Sequence, residues 1–415
     1  MRSEIGQLSS QARIVLLTQQ VSNYHLARYR AAARRFKDLI VISLTNDAEF
    51  SEFLSADLSE LQIVRLFNGK LEYQRAVANG CVWRDVNAAL DRLAPEVVAI
   101  AGWSFPESLA AISWARLNQA RIVLMSASQR HDSKRYRIRE VIKSRIVKAC
   151  DSALVGGRNQ ADYVVALGMA QERVFVGYDA VDNRHFHEGA ERARESAADL
   201  RLQYQLPDRF ILASSRFIPK KNMPRLLAAY AAAIKATGAP HALVILGDGT
   251  SRGEVEAAIS RHALGQRVRL PGFKSYQTLP VYYGLADGFV HVALSEQWGL
   301  VINEAAASGL PLVVSAACGA AAELVQQGRN GYLVDAQSEA SITDGLVAIM
   351  TATCSELRAM GAESQSVVAH WGPDRFGSGL ISAVDVARDQ PWQTTSFVDS
   401  ALFRALSRHL TSAVS

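Results

Sequence analysis

What most constrains this chain is a repeated alternation between short runs, apolar at nearly every position, and intervening stretches of helical length. The first block of runs is RIVLLT (13–18), LIVISL (39–44), LQIVRL (61–66), EVVAIAG (96–102), RIVLMS (121–126) and SALVGG (152–157). The second is RFILASS (209–215), ALVILGDG (242–249), RVRLPGF (267–273), DGFVHVAL (287–294), LPLVVS (310–315) and GYLVD (331–335). A strand with one wet face alternates apolar and polar residues, whereas a strand covered by helices on both faces is apolar throughout. The segments between, such as 26–37, 82–93 and 222–236, have helical periodicity. The pattern predicts an α/β fold of two Rossmann-like, doubly wound domains, and 415 residues are in any case too many for one ordinary core.

The charged, strand-poor segment HEGAERARESAADLR (187–201) reads as the entry to the second domain. The expected layout is therefore an N-terminal domain over 1–188 and a C-terminal domain over 189–375. Helices over about 376–415 are expected to pack back on the first domain. In FVDSALFRALSRHL (397–410), Phe397, Ala401, Phe403 and Leu406 recur at helical spacing. Two such domains facing across a cleft place the expected ligand site in that cleft.

Composition removes several classes. Apolar residues make up 49% and charged residues 20%, which fits a packed chain and not a disordered one. No apolar run approaches the roughly 20 residues of a membrane-spanning helix. The start, MRSEIGQLSSQARIVLL, has charges on both sides of a short apolar stretch and reads as a first strand, not a signal peptide. The expected location is the cytoplasm. Cys81, Cys150, Cys318 and Cys354 are scattered without a CxxC pair, so neither a disulfide framework nor a zinc site follows.

The net charge of +5 is unevenly spread. Residues 1–150 carry 22 Lys+Arg against 14 Asp+Glu, and the remainder 23 against 26. The stretch RHDSKRYRIREVIKSRIVK (130–148) holds eight basic and two acidic residues, with Ile138, Val141, Ile142 and Ile146 at helical spacing. That suits an anionic membrane surface, or an ordinary helix with a solvated basic face. Nucleic acid is disfavoured, because no aromatic-interleaved basic platform or helix-turn-helix pattern accompanies the charge.

Two stretches carry chemistry. In LSEQWGLVINEAAASGLP (294–311) a strand ends, a short loop bears Glu296 and Gly299, and a helix starts near Leu300. The free N–H groups of a helix start favour a phosphate, and a glycine lets it come close to the backbone. Glu304 then lies in the opening turns, placed to accept from vicinal ribose hydroxyls. In SRFIPKKN (215–222), Arg216 and Lys221 flank a loop stiffened by Pro219. A guanidinium and an ammonium converging there would neutralise a diphosphate.

These pieces, with LGDG (246–249), RLPGF (269–273) and SEQWGLVINEAAASGLPLVVSAACGAAAELV (295–325), resemble the donor domain of retaining GT-B glycosyltransferases of family 4. YDAVDNRHF (178–186) is similar to that family's domain-entry segment. The resemblance implies that Arg216 and Lys221 bind the diphosphate, Glu296 faces the donor sugar and Glu304 holds the ribose. It further implies that amides around Gly299 and Leu300 hold the distal phosphate, with Gly272, Phe273 and Gly247 also on the donor side. The resemblance also implies a reaction without metal or cofactor, and the chain agrees in having no Asp-x-Asp sequence. The expected partners are a nucleotide-diphosphate sugar and a glycan or lipid-linked acceptor, in cell-surface polysaccharide synthesis. A GT-B nucleotide-sugar epimerase is the rival enzyme, without the paired SRFIPKKN and Glu-x7-Glu set. A dehydrogenase is excluded because no strand leads into GxGxxG.

The N-terminal domain matches that family less closely. Its first loop region, TQQVSNYHLARYR (18–30), lacks the family's glycines; Asn23 there is an acceptor-side candidate, and His25 a weaker one. His131 would touch donor sugar or acceptor, or sit at the surface paired with Asp132. Trp103, after the strand EVVAIAG, would stack on an acceptor or pack in the core.

Overall fold

The computed structural model describes residues 12–45, 58–132, 135–392, 394 and 396–409, and the N-terminal segment before the first strand lies outside them. The chain forms two units. The first comprises Met1–Arg130, Lys134–Ala180 and Pro373–Ser415, and the second His131–Ser133 and Val181–Gly372.

In the first unit, seven strands form a parallel sheet in the order β3-β2-β1-β4-β5-β6-β7. They are β1 (Arg13–Thr18), β2 (Asp38–Ser43), β3 (Gln62–Arg65), β4 (Val97–Ala101), β5 (Arg121–Ser126), β6 (Ser152–Val155) and β7 (Val174–Val176). Successive side chains on a strand point to opposite faces, and here both faces are covered. Val15, Leu17, Val98, Ile100 and Leu124 join one core with Val86, Leu90, Leu109 and Ile112. Ile14, Leu16, Val97, Ala99 and Val123 join another with Tyr29, Phe376, Leu380 and Val384. That double burial is why the runs are apolar at every position. The three residues of β7 are too few to stand out in the sequence.

Helix Pro373–Asp389 completes the second of these cores, and Ser152 Oγ donates to its Ala383 carbonyl at 2.6 Å. Helix Phe397–His409 adds the buried Phe403 and half-buried Leu406 to the other, while Ala401 faces solvent.

In the second unit six parallel strands run in the order β10-β9-β8-β11-β12-β13. They are β8 (Phe210–Ser214), β9 (Ala242–Leu246), β10 (Val268–Gly272), β11 (Gly288–His291), β12 (Leu312–Ser315) and β13 (Gly331–Val334). The chain changes unit at Ala180/Val181, not at 188, and leaves the second unit after Gly372. The charged segment 187–201 is helical. It belongs to helices Asn183–Glu195 and Ala197–Tyr204, whose charges line the solvent side while Phe186, Ala190 and Ala193 are buried. Gly284 allows the helix Leu279–Leu285 to lie against it, since a Cβ there would stand 2.7 Å from the Ala190 carbonyl.

Candidate functional site

Strand order reverses between β8 and β11, so their following loops leave in opposite directions and open a crevice at the carboxyl edge. SRFIPKKN follows β8 and ALSEQWG follows β11, so topology brings together two motifs about 75 residues apart. The loops are tied directly, Leu294 N–H donating to the Lys220 carbonyl at 2.8 Å. Asn222, in the left-handed region at φ 62°, donates through Nδ2 to the carbonyls of Val292 (3.2 Å) and Ala336 (2.8 Å). Gly247 and Gly249 press the LGDG turn onto the first loop. A Cβ at Gly247 would stand 1.9 Å from the Ser215 carbonyl and one at Gly249 2.5 Å from that of Phe217.

The Glu296 loop is strapped from its other side. Gly319 N–H donates to the Glu296 carbonyl at 3.1 Å and Ala320 N–H to the Trp298 carbonyl at 3.0 Å. Trp298 is buried, its Nε1 donating to Asn303 Oδ1 at 2.8 Å. Gly299 turns the chain at φ 101° into helix Leu300–Ala307. A Cβ there would meet Ile302 at 3.1 Å and Glu296 Cγ at 3.3 Å, so the turn needs glycine.

Within this frame Lys221 Nζ donates to Glu296 Oε2, both side chains being largely buried. Burial, with Lys220 adding repulsion, lowers the Lys221 ammonium to about 8. It is still charged at neutral pH, opposite the Glu296 carboxylate. Arg216 is exposed, which leaves its guanidinium accessible from solvent. Glu304 is fully buried and its Oε2 accepts from Tyr283 OH at 2.7 Å, so it lies behind the Gly299 turn instead of on its surface. Leu300 is half-buried, Gly272 turns at φ 79° with open space beside it, and Phe273 is 58% exposed. His131 is exposed and groups with the second unit, where Ser295 Oγ donates to the adjacent Asp132 carbonyl at 3.1 Å.

One member of the site was not singled out from sequence. His291 ends β11, buried, with Nε2 3.5 Å from Glu296 Oε2 and neither ring nitrogen making a hydrogen bond. Burial, then Lys221 and Lys220, lower its imidazole to about 3, so it is neutral. The signal was present as a single polar residue inside the apolar run DGFVHVAL.

The acceptor-side candidates of the first unit read differently. Asn23 is not in a loop: it opens helix Asn23–Ala33 and is buried. His25 serves that helix start, its Nδ1 2.8 Å from Ser22 Oγ, and burial followed by Arg28 lowers it to about 3. Trp103 is 5% exposed and packs edge-on against Tyr163, so its ring is committed to the core. Among the described residues no group of three or more His, Cys, Asp or Glu could hold a metal ion.

Comparison with known proteins bears on the same unit. Residues 200–366 match the family model "Glycosyl transferases group 1". The chain is 30% identical over 192 residues to the GDP-mannose-dependent alpha-(1-6)-phosphatidylinositol monomannoside mannosyltransferase of Mycobacterium tuberculosis, covering 44% of this chain and 49% of that protein. It is 29% identical over 264 residues to D-inositol 3-phosphate glycosyltransferase 1 of Catenulispora acidiphila, covering 60% and 61%. The chain thus spans about half the length of the first of these relatives. Among solved structures, Anabaena HepE in complex with UDP and glucose superposes with a TM-score of 0.70 at 17% identity, covering 89% of this chain and 98% of that one. Sucrose-phosphate synthase from Thermosynechococcus elongatus gives 0.69 at 18%, covering 89% and 97%. The fold is GT-B, two Rossmann-like α/β units with a C-terminal helical region.

Proposed function

We propose that this chain is a retaining, metal-independent glycosyltransferase that moves a sugar from a nucleoside diphosphate sugar to a glycan or lipid-linked acceptor. The observation that carries the reading is the Lys221–Glu296 pair at the switch point of the second sheet, beside the helix start at Leu300. As the bond from the anomeric carbon to the phosphate oxygen breaks, negative charge builds on the diphosphate and positive charge on the sugar ring. Lys221, Arg216 and the amides after Gly299 would stabilise the first, and Glu296 the second. The acceptor oxygen bonds to the same carbon, and its proton leaves with the diphosphate. Glu304, assigned to the ribose by the resemblance, would reach one only by giving up its buried contact with Tyr283, and Phe273 would lie beside the base. His131, beside the Glu296 loop, would touch the sugar. Retention is carried by the resemblance of the two motifs to family 4 enzymes.

The first unit would bind the acceptor. Its helix Arg137–Lys148 exposes Ile138 (76%) and Val141 (58%), while Ile146 and Val147 are buried; Ile142 is partly so. With Tyr136, Arg137 and Arg139 this edge suits the inner face of an anionic membrane. The lipid acceptor in the name of the mycobacterial relative supports that choice.

The test is a thermal-shift panel of UDP-, GDP- and ADP-sugars in EDTA, followed by product analysis with the donor that binds. A ligand at 100 times its Kd adds about 2.7 kcal/mol. One donor should stand out, and its sugar should be transferred with its anomeric configuration kept. Absence of any shift, or turnover only after adding a divalent cation, would break the reading.

A further inference from the structure

We propose that His291 is a positioning residue, the alternative hydrogen-bond donor that holds the Glu296 carboxylate once a bound diphosphate has drawn Lys221 away from it. The inference rests on the reading of this site as one for a nucleoside diphosphate.

Packing does not explain His291. Its chain neighbours Phe289, Val290, Val292 and Ala293 are buried and apolar, and an imidazole with two unpartnered nitrogens is costly there. What its position does explain is a competition. Lys221 Nζ is bonded to Glu296 Oε2, yet on the proposed reading it is also the cation that would bind the diphosphate. A carboxylate and a diphosphate repel each other and compete for that ammonium. His291 Nε2 stands 3.5 Å from the same Oε2, too far for a hydrogen bond now and within reach of one after a small shift. In its neutral form the ring can carry a proton on Nε2 and donate it without adding a charge. The arriving diphosphate then takes the ammonium, and the carboxylate keeps a donor and a defined position towards the sugar.

A double-mutant cycle tests this with UDP and GDP as probes, Kd being measured by calorimetry. His291→Leu should weaken the nucleotide that binds by about tenfold, the scale of one hydrogen bond to a charged group. In a Glu296→Gln background there is no carboxylate to pass on, and the same change should cost less than about twofold. His291→Gln, which keeps an N–H at similar reach, should recover most of the loss. The Tm of His291→Leu should hold or rise, because unpartnered buried nitrogens have been removed. Equal weakening in both backgrounds, no weakening in either, or a lower Tm would overturn the role of His291. If neither nucleotide binds the wild-type protein, the nucleotide-site reading itself fails and the inference with it.

Discussion

The two sheets share a topology and differ in what they place at the point where strand order reverses. Between β8 and β11 the second unit sets an ion pair, a neutral imidazole and an open guanidinium around a glycine-led helix start. Between β1 and β4 the first unit sets rings and a closed-off acid. Trp103 is buried, and Glu107, 2% exposed, accepts from Tyr73 OH at 2.8 Å through Oε2 while Oε1 has no partner. Burial raises the Glu107 carboxyl to about 7. The same crevice of the same fold thus holds an ion pair in one unit, while in the other burial disfavours the charged form of its acid. Fold supplies a location, and the residues there decide whether it is electrostatic machinery or core.

The sharpest way to break that contrast is to remove the charges of the second crevice. Lys221→Ala should cut turnover by roughly two to three orders of magnitude. Because Lys221 is buried against Glu296, the variant should also lose about 3 kcal/mol of stability, as when one partner of a buried pair is deleted. Exposed Arg216→Ala should lower turnover with its Tm unchanged. Glu296→Gln should fall mainly in kcat, by roughly tenfold or more, while UDP or GDP binds as well as before or better, because Lys221 is released. Wild-type turnover in Lys221→Ala would leave the second crevice no more chemical than the first.

The first crevice is tested through stability. Glu107 has a folded pKa near 7 against an ordinary 4.5, so the folded state holds its proton more tightly than the unfolded chain does. Its contribution is therefore complete below about pH 4.5 and is lost as pH rises through 7, a change of up to about 3 kcal/mol. Urea unfolding at pH 5 and pH 8 should show wild type losing more stability over that interval than Glu107→Gln. Parallel slopes would mean that the acid is already ionised and that the two crevices are more alike than described.

A smaller effect separates the outer surfaces. Arg137→Glu with Arg139→Glu should weaken binding to vesicles of anionic phospholipid by about 1 kcal/mol per residue. Ile138→Asp should weaken it at all salt concentrations, whereas the charge reversals should matter less as salt rises. Lys143 is the poorer target, since its ammonium is engaged with Glu140 at 3.1 Å and Tyr163 OH at 3.0 Å. No vesicle binding by the wild-type protein at low salt would assign this edge to solvent.

Much of this was legible in the chain itself. Continuous apolar runs announced sheets buried on both faces, because any polar side chain on either face of a covered strand is desolvated. The helix start after Gly299 and the turn carrying Lys221 were readable as local elements, because local patterns survive in sequence order. Only the tertiary structure could decide what depends on neighbours distant in the chain. It joined Lys221 to Glu296, put His291 beside them, sank Glu304 behind the turn against Tyr283, and closed Trp103 and Asn23 into the first unit. It also moved the change of unit from 188 to 180/181, because a charged stretch and a helix with one solvated face read alike until the partner of its other face is known.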